Sequence, residues 1–145
     1  MKKLRYLKTE RGGTQSLAGK PVIQGMVGFP KIAPTILTSA AGYTMTAAQM
    51  LSGLISDTSS TGGIAATLPS VASVVALIGG WVAGTAFYLD YSNPGDQTVT
   101  ITVDAGAQWT LVGTMTIATV CHKRLLCIID SALTGHVYSL GTRTA

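Results

Sequence analysis

The sequence predicts a mainly β chain: an antiparallel β-sandwich or barrel of jelly-roll-like form, preceded by two short helices and an extended N-terminal arm. Three observations predict it. From Ala83 onward, short runs of alternating apolar and polar residues recur between turn residues, the pattern of a sandwich or barrel. Before them lie two short segments with helical spacing and capping residues. The first 34 residues gather basic side chains, glycines and prolines.

At 145 residues the chain is long enough for one domain with a substantial core. Only 11% of it is charged, against about 25% in an ordinary soluble domain. Hydrophobic residues make up 47%, and Thr, Ser, Gly and Gln carry the polar share. Such a surface suits protein packed on protein, because burying a hydroxyl costs less than burying an ion. The apolar and β-branched content excludes a disordered chain.

Taken in order, residues 1–34 form the arm. Gly12, Gly13, Gly19, Gly25 and Gly28 with Pro21, Pro30 and Pro34 interrupt any helix or long strand. Its basic opening is not followed by an apolar stretch of signal-peptide length. The sandwich domain spans 35–145. Its first helix is placed near 46–56, where Thr46 and Gln49 have capping-box spacing and Met50, Leu51, Leu54 and Ile55 share one helical face. After a polar loop from Asp57 to Gly63, a second helix is placed near 69–79, with Pro69 in its first turn and Gly79-Gly80 as its stop. Strands follow as "GTAFYLDYS", "QTVTITV", "WTLVG", "TMTIA", "RLLCIID" and "HVYSLG", with turns at "NPGD", "DAGA" and "SALTG". In "QTVTITV", Thr98, Thr100 and Thr102 face one side and Val99, Ile101 and Val103 the other. That alternation specifies packing rather than chemistry.

Charge is segregated along the chain. Lys2, Lys3, Arg5, Lys8, Arg11, Lys20 and Lys31 are opposed in the arm only by Glu10, which leaves it at +6. Beyond Pro34, Lys123, Arg124 and Arg143 face Asp57, Asp90, Asp96, Asp104 and Asp130, which leaves the body at −2 and the whole at +4. A cationic arm on a weakly acidic body points to docking on a partner.

The motifs that suggest chemistry do not hold together. "GGTQSLAGK" has five residues between Gly13 and Gly19 where a phosphate loop has four, and Pro21 replaces the magnesium-holding hydroxyl. Cys121, His122, Cys127 and His136 are spaced C-H-x4-C-x8-H, and adjacent strand residues point to opposite faces, against a zinc site or a Cys-His pair. The five aspartates fall mostly at turns, where capping is their default role. No catalytic residue, cofactor, metal or small-molecule substrate is assigned, and the chain is read as a non-enzyme. The two cysteines, if on one strand, stand roughly 20 Å apart, too far to bridge. They read as buried free thiols, with an intermolecular disulfide as the alternative.

Two other functions compete. Ser70 to Leu89 is uncharged and of bilayer-spanning length, as in a holin-like membrane-inserted protein. The Gly79-Gly80 break and the strand alternation that starts inside the segment weigh against a membrane. The arm also fits a small nucleic-acid-binding protein, with basic residues on phosphates and Tyr6 stacking. One aromatic among five clustered basic residues favours an acidic protein surface over nucleic acid.

Read together, "YTMTAAQMLSGLI", "ATLPSVASVVALIGG", "GTAFYLDYSN", "VDAGAQWTLVGTMTIA" and the closing strands resemble the decoration, or cement, proteins on the heads of tailed bacteriophages, including head-fibre base domains. The resemblance covers roughly residues 43–140. "RLLCIID" lacks the aromatic that the pattern carries there, and the basic arm lies outside it. The resemblance implies a homotrimer on the outer surface of a virion's capsid, bridging major capsid protein subunits. Independently of the resemblance, the charge of the arm makes Lys2, Lys3, Arg5, Lys8 and Arg11, with Lys20 and Lys31, its candidate docking residues. Met50, Leu51, Leu54, Ile55, Trp81 and Trp109 are the candidate subunit-interface residues, with core packing as the alternative for all six.

Overall fold

The structure, a computed structural model, describes residues 15–17, 20–22, 35–38, 42–59 and 63–144. The chain divides into two units, Met1–Lys31 and Ile32–Ala145. In the first, β1 (Gln15–Leu17) pairs antiparallel with β2 (Lys20–Val22), with Ser16 opposite Pro21. Of the arm's docking residues only Lys20 falls in this hairpin. Lys2, Lys3, Arg5, Lys8, Arg11 and Lys31 lie outside the described residues.

The second unit opens with β3 (Thr35–Leu37) and β4 (Tyr43–Thr44). Helix α1 (Ala47–Leu51) starts at the expected capping box: Gln49 N donates to Thr46 Oγ1 at 3.2 Å, and Thr46 N to Gln49 Oε1 at 2.7 Å. It is shorter than the predicted 46–56. Gly53 takes φ +79°, a left-handed conformation that ends a helix readily only at glycine. Leu54 and Ile55 therefore leave the helix and enter β5 (Leu54–Asp57), where Ile55 and Asp57 point inward and Leu54 and Ser56 outward. β6 (Ile64–Leu68) follows. Helix α2 (Val71–Val75) is capped by Ser70, whose Oγ accepts from Ser73 N at 3.2 Å, and it buries Val71 and Val74. It too stops short of the predicted 69–79, in turns that run to Gly80.

The remaining strands match the alternation read from the sequence: β7 (Thr85–Asn93), β8 (Val99–Val103), β9 (Trp109–Val112), β10 (Thr116–Ile117), β11 (Cys121–Ile129) and β12 (Gly135–Thr144). The described residues are mainly β, and those of the second unit form two short helices and two sheets around one core. One sheet has the order β10-β8-β6-β4 and the other β3-β5-β7-β11-β12-β9. Ile64, Leu68, Val99, Ile101 and Ile117 of the first meet Leu89, Tyr91, Leu125, Cys127, Ile129 and Val137 of the second in one buried cluster.

The predicted antiparallel pairing holds only in part, because the sheets are mixed. Pairs β3–β5, β5–β7, β4–β6, β6–β8 and β12–β9 are parallel, while β7–β11, β11–β12 and β8–β10 are antiparallel. Each strand from β4 to β11 lies in the opposite sheet from the one before it. A connection that changes sheet reverses the chain without pairing the strands it joins. Two such reversals lead from β3 to β5, from β5 to β7, from β4 to β6 and from β6 to β8, and each time return the chain to the same sheet in parallel. "NPGD" is therefore an arch over the core, and "SALTG" is a true hairpin turn between β11 and β12.

Ser70 to Leu89 is not one segment: it supplies α2, a run of turns and the first half of β7. Among the described residues no helix is long and apolar enough to cross a membrane.

Candidate functional site

The strand alternation places polar side chains inside the sandwich at one end. Asp57, Tyr91, Asn93 and Lys123 are all buried. Asp57 closes β5, Tyr91 lies on β7 beside Lys123 on β11, and Tyr43 reaches in from β4. The Asp57 carboxylate accepts from Tyr91 Oη at 2.6 Å, Tyr43 Oη at 2.8 Å and Ser59 N at 2.9 Å. The two phenol oxygens also lie against each other, with both protons directed to the carboxylate. Burial pushes the Asp57 carboxyl upward, but the hydrogen bonds from Ser59, Tyr91 and Tyr43 outweigh it and hold the group below its ordinary value. Burial, with the neighbouring carboxylate, pushes both tyrosines well above the ordinary phenol range. These hydroxyls stay protonated and serve as donors.

Two further side chains tie the sheets. Asn93 Nδ2 donates to the carbonyls of Gln97, Ile117 and Ala118 at 2.7, 3.1 and 3.0 Å. Lys123 Nζ donates to the carbonyls of Thr114 and Thr116, both at 2.6 Å, and burial lowers its basicity. At the other end Trp109 Nε1 donates to Pro69 O at 2.7 Å. These groups satisfy backbone freed where the chain leaves one sheet for the other. Their geometry makes them cross-ties between sheets.

The outer face of the six-stranded sheet offers more to a partner. Asp90 and Arg124, cross-strand neighbours on β7 and β11, form a two-armed ion pair at 2.7 and 2.8 Å. The Arg124 guanidinium lies 5.6 Å from the Tyr88 ring centroid, a cation–π contact. A groove of about 560 Å³ opens beside this pair, lined by Leu54, Ser92, His122, Leu140 and Arg143 among others. His136 Nδ1 meets Asp130 Oδ2 at 2.5 Å and its ring stacks on Tyr138.

The predicted interface residues separate into two groups. Met50, Ile55 and Trp109 belong to the core, the alternative given for them. Leu51 and Trp81 are half-buried against that core. Leu54 lines the outer groove, and alone among the six joins the face described above. Cys121 and Cys127 share the inner side of β11, while His122 and His136 lie on its outer side and on β12. Both thiols are free, and burial pushes that of Cys127 up to about 12.

The sequence reading passed over Tyr43, Tyr91, Asn93 and Lys123. A signal for two of them was present. Lys123 has the same phase as Leu125, Cys127 and Ile129, and Asn93 the same phase as Leu89 and Tyr91, which are core positions for polar residues. Asp57 keeps a capping contact to Ser59 N and adds the two phenols. Compared with models of known protein families, with curated proteins and with solved structures, the chain matches none of them.

Proposed function

We propose that this chain is a structural, non-enzymatic virion protein that decorates a phage capsid and stabilises it by bridging major capsid protein subunits as a homotrimer. The observation that carries this reading is charge segregation: a +6 arm joined to a −2, sparsely charged body. A cationic arm suits an acidic shell, and repeated arms raise avidity without any single strong contact. The sandwich supports the reading by its construction. Alternate strands switch sheets and buried polar side chains tie the sheets together, which suits a body that must resist deformation. The sequence resemblance to capsid decoration proteins points the same way.

The test is co-sedimentation of the full chain with purified capsids, compared with a variant in which Lys2, Lys3, Arg5, Lys8 and Arg11 become serine. The expected result is saturable binding by the native chain that weakens with salt and is lost in the variant. Equal binding by both proteins excludes arm docking. Binding to DNA in place of capsids favours the nucleic-acid role.

A further inference from the structure

The two outer faces of the sandwich differ sharply. The four-stranded sheet turns Thr44, Ala65, Thr67, Thr100, Thr102 and Thr116 outward, and Thr67 and Thr102 share a 3.0 Å hydroxyl hydrogen bond across β6 and β8. The six-stranded sheet turns an apolar row outward. Tyr88, Leu126, Tyr138 and Val112 are successive register partners on β7, β11, β12 and β9. Ile128 and Leu140 extend the row along β11 and β12, and Ile36 lies beyond it on β3, beside Ser56 of β5. Tyr88 is 56% exposed, Leu140 52% and Ile36 68%. A sheet apolar on both faces ordinarily lies between two layers. Here the described residues supply only one of them.

The charges on this face indicate what supplies the other. Asp90 is neutralised by Arg124, and the Asp130 carboxylate is hydrogen-bonded to the His136 ring. The row itself carries no charge, so it offers no counter-charge to a strongly acidic or basic partner. A second copy of the same face is complementary. It is aromatic and aliphatic at its centre, and the Asp90 and Arg124 charges beside it are already paired with each other, while Arg143 lies in the groove at its margin.

We infer that the outer face of the six-stranded sheet, centred on Tyr88, Leu126, Tyr138 and Val112, is where copies of this chain meet. This rests on the homo-oligomer of the proposed function and names its surface. Turned toward a three-fold axis, the β5–β7 half of one face meets the β12–β9 half of the next copy's face. Such a head-to-tail contact closes a ring. The tyrosines supply large anchors with little side-chain entropy to lose.

The experiment is light scattering on the full chain, with circular dichroism as the check on folding. The native chain is expected at three times its 14.9 kDa mass. The double variant Tyr88→Glu/Val112→Glu, which sets like charges against each other across the contact, is expected to weaken self-association by about 100-fold or more and to run as a folded monomer. Thr116→Lys, on the opposite outer face, is expected to keep the native mass. If the charged double variant does not fold, Tyr88→Ala reads the same contact with a smaller shift. A monomeric native chain, or a folded Tyr88 variant that keeps the native mass, overturns the inference. Capsid co-sedimentation separates the two levels. An oligomer that survives the face variants and still binds capsids removes only the assigned surface. An oligomer that dissociates with them but never binds capsids removes only the capsid role.

Discussion

The Tyr91 hydroxyl, on the six-stranded sheet, donates a 2.6 Å hydrogen bond to the buried Asp57 carboxylate, and Tyr43 reaches the same carboxylate from the four-stranded sheet. One side chain thereby ties both layers. Hydrogen bonds to the ionised form hold Asp57 below its ordinary value. Its contribution is therefore fully present above the unfolded carboxyl value of about 3.9 and is lost as pH falls through the lower folded value. Asp57→Asn is expected to cost about 1–3 kcal/mol near neutral pH and to reduce the acid dependence of stability. Urea midpoints measured from neutral pH to about pH 3 check both. An unchanged acid limb in the variant would refute the clasp.

Lys123 is the only inward-facing cation in β11, and its ammonium holds two carbonyls of the segment from β9 to β10. Lys123→Met retains most of the apolar stem but strands both acceptors. The expected loss is about 1–3 kcal/mol. Amide exchange at Thr116 and Ile117 is expected to quicken more than exchange in β7. Equal protection in the two strands would show that Lys123 does not hold β10.

Gly135 allows a close approach in the core. A Cβ there would stand 2.5 Å from Trp109 Cζ3 and 2.7 Å from Ile128 O. The backbone oxygen cannot swing away, and the indole is held by its bond to Pro69. Gly135→Ala is expected to destabilise by about 1–3 kcal/mol and to perturb tryptophan fluorescence. A melting temperature equal to the native value would count against this packing.

Val120, exposed at the entry to β11, takes φ +54°, a region costly for a β-branched residue. Val120→Asn relieves the strain without removing a buried contact. A gain of about 1 kcal/mol is expected, read as a higher melting temperature, and a loss of stability would contradict the strain.

Cys127 is fully buried, with its thiol pushed up to about 12. It is expected to resist a thiol reagent in the native protein and to react at once in denaturant. Comparable labelling before and after unfolding would mean that β11 opens readily.

Much of the fold was legible from alternation and caps. Phe87, Leu89 and Tyr91, and Val99 and Ile101, point inward as their phase requires, and Thr46 and Gln49 cap α1. The end of α1 was not legible, because Leu54 and Ile55 fit both a helical stripe and a two-residue strand repeat. Gly53 and the pairing with β7 decide between them. The predicted docking residues of the arm, Lys20 apart, lie outside the described residues. The predicted interface list mixed core with surface, since Met50 and Trp109 are equally apolar in either place.

Local residue chemistry was enough to specify β character, helix starts, turn positions and the separation of a cationic arm from a sparsely charged body. These depend on neighbours within a few residues. Which strands pair, whether "NPGD" is a hairpin or an arch, and where Asp57 finds its two phenols depend on strands distant in sequence. Turn residues specify that the chain reverses, not which sheet it then joins. Burial of two apolar faces against each other makes that choice, and it is settled only when the whole core closes.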